Sequence, residues 1–402
     1  MSLREWRRCR SFLLLLLFAT VSGPLSHSQS KPPLPDPLRT SVIDQMFNQE
    51  FTKDKAGALT VGLIKEGRLV WTKSYGYIDQ QHNIPATETT VYGIGSVTKI
   101  FTGLMLLQLV DRGKVHLTDP VERYFPEVNL IPKKYPWSPP ITLIQLATMS
   151  AGLQATTSTV GDPYAIGPPS EWQRQLIAAL PRTAYVYEPG TRRRYSNISY
   201  SILGAALERA AGRPYLDYIQ EEILKPLGMT STSFFVSPDL APRVAKGYFL
   251  GEEKIDPDFP QQQNGHGGYW TPVGGLLSTV PDLAKLMRFQ LGYGPNSVLK
   301  RETLESAFTG LVASDADLLY GDGVGFSAVR NEDGHMVVLG HGGLRRGYEA
   351  SYEFDKSTKT GIIALSSTSG GNAEYKPLVR RILSMLNPNS RGGTGEPLQE
   401  SH

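Results

Sequence analysis

Cysteine is all but missing: the single Cys9 in 402 residues precedes the first long apolar run, where a lipoprotein cysteine would have to follow it. Once an N-terminal leader is cut away, the chain has no disulfide, no thiolate nucleophile and no cysteine-ligated metal. Charge of one sign is scarce too. The 41 basic and 38 acidic residues leave a formal net charge of +3, with no long basic run in the interior, which argues against a nucleic-acid partner. The seven histidines are scattered without H-E-x-x-H or comparable spacing, so no metal site and no cofactor are expected. A G-x-S-x-G elbow is missing as well. Ser150 follows Thr148-Met149 where glycine is required, which argues against an α/β-hydrolase. Internal repeats and low-complexity tracts are also lacking.

What is present begins with a secretory pattern. Arg4, Arg7, Arg8 and Arg10 precede the apolar run Phe12 to Val21, and small and turn-forming residues follow to Ser28. This predicts a signal peptide over 1–28 and export to the periplasm or the exterior, the run being short for a permanent membrane span. Residues 29–38 form a Pro-rich linker, and 388–402 read as a disordered tail. The length between them suits one large two-lobed unit over 39–387.

Apolar periodicity divides that unit. A helix is expected near Arg39 to Phe51, then a hairpin of Leu59 to Ile64 and Leu69 to Tyr75 around Lys65-Glu66-Gly67. Ser96 to Arg112 carries Ile100, Phe101, Leu104, Leu107 and Val110 at helical spacing, with Gly113 as its stop. Further helices are expected over Ser199 to Ala211, Pro214 to Leu224 and Leu283 to Leu291. Strands return over Val324 to Arg330, Met336 to Gly340, Ala350 to Phe354 and Ile362 to Ser366, and a helix over Tyr375 to Leu386 closes the chain. Strands at both ends with helices between predict one antiparallel sheet built from both termini (sheet lobe about 39–138 and 270–387) with a mostly helical lobe inserted (139–269). The active site belongs in the cleft between them.

Three short motifs carry chemistry. Ser96-Val97-Thr98-Lys99 opens a helix, and the three-residue spacing puts hydroxyl and amine on one face. The positive end of the helix dipole favours a developing alkoxide there. Taken alone, the motif equally describes a capping serine and a solvated lysine. Tyr195-Ser196-Asn197 precedes another helix: the tyrosine suits proton transfer if nearby cations lower its pKa, and Asn197 suits a hydrogen bond to a substrate amide or to Lys99. Alone, it is also a packed tyrosine beside a helix cap. Gly340-His341-Gly342-Gly343 ends the strand from Met336. Its glycines allow close backbone approach, and the N–H of Leu344 pairs with that of Ser96 as an oxyanion hole. Asn197-Ile198-Ser199 is formally a glycosylation sequon, read as accidental.

Together and in this order the three motifs resemble the serine β-lactamase and penicillin-binding-protein family, in its branch of class C β-lactamases, D-alanyl-D-alanine carboxypeptidases and related esterases. The likeness runs from about Thr40 to Leu386. Stretches such as Tyr92-Gly93-Ile94-Gly95, Leu117-Thr118-Asp119-Pro120, Pro226-Leu227-Gly228-Met229 and Gly274-Gly275-Leu276 add to it. The resemblance implies a β-lactamase/transpeptidase-like α/β (α+β) fold. It also implies Ser96 as acylated nucleophile, Lys99 as its buried activator, Tyr195 as general acid and base, and Asn197, His341, Gly342, Gly343 and Leu344 as the substrate wall.

His341 departs from the family, which usually has lysine there to help hold a substrate carboxylate. The change disfavours β-lactams relative to neutral short-chain esters, and carboxylate-bearing substrates should gain as pH falls toward 6. Arg345 and Arg346 either supply the missing charge or form a solvated turn, the latter being the expectation. The enzyme reading is acyl transfer from an ester, β-lactam or D-amino-acid peptide through Ser96 to water, with a small-molecule or peptide partner and no metal. The alternative is a non-catalytic or slowly acylating penicillin sensor, or a partner-binding module, on the same fold.

Overall fold

The apolar patterns at the two ends of the chain meet in one sheet. The computed structural model describes residues 37–156, 167–250, 268–308, 312–313, 320–330 and 336–387. The expected signal segment, most of the linker and the C-terminal tail lie outside the described residues. Helix α1 (Pro37–Phe51) takes in the last two residues assigned to the linker, its first position being one where proline's fixed φ is helical and its missing N–H costs nothing.

Nine strands follow in the order β3-β2-β1-β9-β8-β7-β6-β5-β4. They are β1 (Ala58–Lys65), β2 (Arg68–Asp79), β3 (Ile84–Pro85), β4 (Val312–Ala313), β5 (Tyr320–Asp322), β6 (Ser327–Arg330), β7 (Met336–Arg345), β8 (Tyr348–Asp355) and β9 (Thr360–Ser366). Every neighbouring pair is antiparallel. The early hairpin joins the late strands through β1 and β9, in a register running from Leu59↔Ser366 to Lys65↔Thr360.

Alternation along β1 sends Leu59, Val61 and Leu63 to one face. There they meet Ile43 and Phe47 of α1 and Leu378, Val379 and Ile382 of the closing helix Tyr375–Leu386. Ala58 and Ile64 belong to the larger core on the other face. That core is organised by α2 (Thr98–Asp111), buried without interruption from Thr98 to Leu109. Each buried leucine of α2 contributes about 2 kcal/mol by leaving water. Two of its buried polar side chains donate to carbonyls of neighbouring segments: Thr102 Oγ1 to Pro272 O at 2.7 Å, and Gln108 Nε2 to Val298 O at 2.6 Å. Against α2 packs α3 (Asn197–Ala211), capped by Ser196 Oγ at its start and by Gly212 at φ 65° at its end.

Several boundaries differ from expectation. The strand expected over 324–330 begins only at Ser327, as β6, and the short β5 precedes it where no strand was expected, because Gly323 N–H turns back to Phe326 O at 2.9 Å between them. The helix expected over 214–224 is α-helical only over Tyr215–Ile219 and widens to i→i+5 bonding over Gln220–Leu224. The next opens inside the stretch 278–282 that reads as its start: it begins at Val280, with Thr279 Oγ1 accepting from Asp282 N–H and Pro281 in a first-turn position. Strand β7 runs to Arg345 instead of stopping at Gly340. His341 through Leu344 keep pairing with β8, from His341↔Tyr352 to Leu344↔Glu349.

Candidate active site

Three elements converge where the motifs lie: the start of α2, the start of α3 and the middle of β7. Ser96 sits in a 3-10 turn, Gly95–Val97, that leads directly into α2, and no side chain caps that turn. The serine is therefore held by backbone geometry and not as a capping residue. Gly95 has φ 49°, and a Cβ there would lie 2.9 Å from both N and O of Leu344. Gly343 meets the same turn from β7, since a Cβ on it would stand 2.0 Å from Ile94 O. Only glycine at both positions lets the strand and the Ser96 turn touch through their backbones.

Lys99, one helical turn on, is 0% exposed. Its Nζ donates to Ser96 Oγ at 2.8 Å, Tyr195 OH at 2.8 Å and Asn197 Oδ1 at 2.9 Å, with Val273 O at 3.4 Å. Tyr195 OH in turn donates to Ser96 Oγ at 2.8 Å. Burial pushes the Lys99 amine well below the usual lysine range, and the charge of Asp322 opposes that only in part. Loss of hydration is what makes the neutral amine accessible.

His341 brings the third motif in, its ring 6.4 Å from that of Tyr195. It is buried, its Nδ1 lies 2.5 Å from Gly342 O, and its pKa is pushed down to about 3. Desolvation is the larger cause, followed by the charge of Lys99, with Lys376 and Arg193 adding to it. The expected gain for carboxylate-bearing substrates near pH 6 is thereby corrected, because this imidazole stays neutral throughout that range.

The expectation for Arg345 is also overturned. Alternation along β7 leaves Leu344 62% exposed and buries Arg345 at 8%. The Arg345 guanidinium lies beside Gly93, and its Nε, Nη1 and Nη2 lack hydrogen-bond partners. Only Arg346 is exposed, in the turn between β7 and β8.

The structure thus brings Ser96, Lys99, Tyr195, Asn197 and His341 together and sets the Gly343–Leu344 backbone against the Gly95–Val97 turn. Sequence reasoning passed over the Val273 carbonyl, Arg193 and Asp322. A run of three arginines, Arg192 to Arg194, just ahead of Tyr195 was a usable signal for one of them, but nothing local marks Asp322. Among the described residues no group of side chains could hold a metal ion, and no helix is long and apolar enough to cross a membrane.

The chain is similar to known proteins of one family and fold. The Beta-lactamase family model matches residues 43–386. Beta-lactamase-like protein 2 of Dictyostelium discoideum is 26% identical over 363 residues, covering 88% of this chain and 64% of its own, so this chain spans less than two thirds of that relative. Among solved structures, the octameric penicillin-binding protein homologue from Pyrococcus abyssi is 30% identical with a TM-score of 0.73, covering 86% of this chain and 77% of its own. EstCE1, described as a hydrolase with promiscuous acyltransferase activity, shares the fold at 20% identity and a TM-score of 0.74, covering 86% and 98%.

Proposed function

The chain belongs to the Beta-lactamase family, and from that premise we propose that it is a serine hydrolase working through an acyl-enzyme on Ser96. The observation that carries this reading is a fully buried Lys99 whose Nζ stands 2.8 Å from both Ser96 Oγ and Tyr195 OH. A pure scaffold has no use for an amine stripped of water beside a hydroxyl. As a neutral amine, Lys99 takes the Ser96 proton while Oγ bonds to the acyl carbon. Tyr195, in contact with both groups, passes a proton to the leaving oxygen or nitrogen, and water then attacks the acyl-enzyme by the reverse route. The N–H groups of Ser96 and Leu344 would hold the oxyanion.

Neutral short-chain esters are the preferred substrates in this proposal, ahead of β-lactams and D-amino-acid peptides. A buried neutral histidine stands where a permanent cation would otherwise meet a carboxylate, a charge-assisted contact worth roughly 1.5–3 kcal/mol. Export belongs to the same proposal, supported by the basic and apolar pattern of residues 4–21.

The test is turnover of p-nitrophenyl acetate and nitrocefin on one preparation, with Ser96→Ala as control and mass spectrometry after fluorophosphonate treatment. Steady ester turnover that vanishes in Ser96→Ala, with the adduct on Ser96, is expected. A single stoichiometric burst would indicate a sensor, and an adduct on Ser150 would refute the mechanism.

A further inference from the structure

Beside the three motifs lies a charged pair that the mechanism above leaves unused. Asp322 ends β5, is 3% exposed, and accepts Arg193 Nε–H at 2.5 Å. Its strand is fixed by the pairing Gly321↔Ala328 and Asp322↔Ser327. Arg193 stands two residues before Tyr195 and four before Asn197. Around it, the segment is tied to residues 149–155: Arg194 N–H donates to Met149 O and Asn197 N–H to Ala155 O, each at 2.8 Å, and Ser196 Oγ donates to Gln154 O at 2.8 Å. The ion pair adds a tie to the sheet.

We propose that Asp322 is a positioning residue for acyl transfer, its ion pair with Arg193 holding the Tyr195 segment against the sheet beside Lys99. This deepens, and rests on, the serine hydrolase reading. Such a role has an electrostatic consequence. Asp322 is the anion that opposes the loss of the Lys99 proton. Among the described residues, Arg193, Lys376 and Lys99 act on Asp322, while Ser96, Tyr195, Asn197 and the Tyr200 ring, 5.7 Å from Nζ, lie around the amine. His341 is neutral. Burial raises the Asp322 carboxyl, and the three cations counter it.

Removing the carboxylate therefore makes the Lys99 proton easier to lose. The measurement is a pH titration of the Lys99 side-chain 15N resonance, assigned by its disappearance in Lys99→Met, alongside kcat/KM for p-nitrophenyl acetate. In Asp322→Asn the Lys99 titration and the acid limb of kcat/KM should move about one pH unit lower, and kcat should fall roughly tenfold as Tyr195 loses its placement. Asp322→Glu should restore the titration, and Arg193→Lys should leave it in place while lowering kcat. If Asp322→Asn does not fold, Asp322→Asn combined with Arg193→Gln leaves no unpaired buried charge, and should show a smaller downward movement, since a cation leaves together with the anion. Either an unmoved Lys99 titration or a wild-type kcat in the folded Asp322→Asn variant overturns the proposal. Absence of Ser96-dependent turnover in the wild-type protein would instead overturn the hydrolase reading, with the titration still deciding whether Asp322 acts on Lys99.

Discussion

Replacing His341 by glutamine isolates the consequence of burying an imidazole among cations. In the unfolded chain this histidine takes up a proton near pH 6.5; in the folded protein it does so only near 3. A depressed folded value means that the stability contribution is complete above 6.5 and drains away as pH falls toward 3. Between pH 7.5 and 4.5 the unfolded chain gains almost one proton that the folded chain refuses, which lowers wild-type stability by about 2.7 kcal/mol. His341→Gln abolishes that uptake, and its amide can still donate toward Gly342 O. At pH 7.5 the variant should differ from wild type by no more than about 1 kcal/mol, the scale of one neutral hydrogen bond. At pH 4.5 the wild type should have lost about 2.7 kcal/mol more than the variant, the other titrating groups cancelling between them. Reversible urea unfolding at the two pH values measures both differences. Equal losses in the two proteins would show that His341 accepts a proton readily when folded, and the neutral wall proposed for the site would fall with it.

Gly343→Ala should destabilise the fold by about 1–3 kcal/mol and lower ester turnover, because its Cβ would lie 2.0 Å from Ile94 O; wild-type urea midpoint and activity would show that strand and turn are not in contact. Arg345→Met should match or exceed the wild-type melting temperature, since it replaces a buried guanidinium without hydrogen-bond partners by an apolar chain of similar reach. A loss of more than about 2 kcal/mol in Arg345→Met would reveal an interaction holding that charge.

The local chemistry of the site was legible because its signals are short-range. Serine and lysine three residues apart share a helical face whatever surrounds them, and glycine before and after a reactive residue announces close backbone approach. Periodicity likewise gave the early hairpin, α2, α3 and the closing helix. It gave boundaries less well where backbone bonding changes within a run of similar residues. Nothing in the apolar text of 324–330 says that Gly323 N–H turns back to Phe326 O, and nothing in Gly340-His341-Gly342-Gly343 says that the strand continues through it.

Charge states belonged to the tertiary structure. Sequence determined that a lysine, a tyrosine, an asparagine and a histidine exist in the right order, and that no cysteine or lysine takes the place of His341. It could not determine that Lys99 loses its water, that His341 stays neutral or that Arg345 turns inward. Each depends on which face of a strand or helix is covered, and by elements more than a hundred residues away in the chain. Asp322 reaches Arg193 across 129 residues of sequence, and folding alone puts that carboxylate within electrostatic reach of Lys99. A side chain's identity is local, whereas its hydration and the charges it feels are set by everything packed around it.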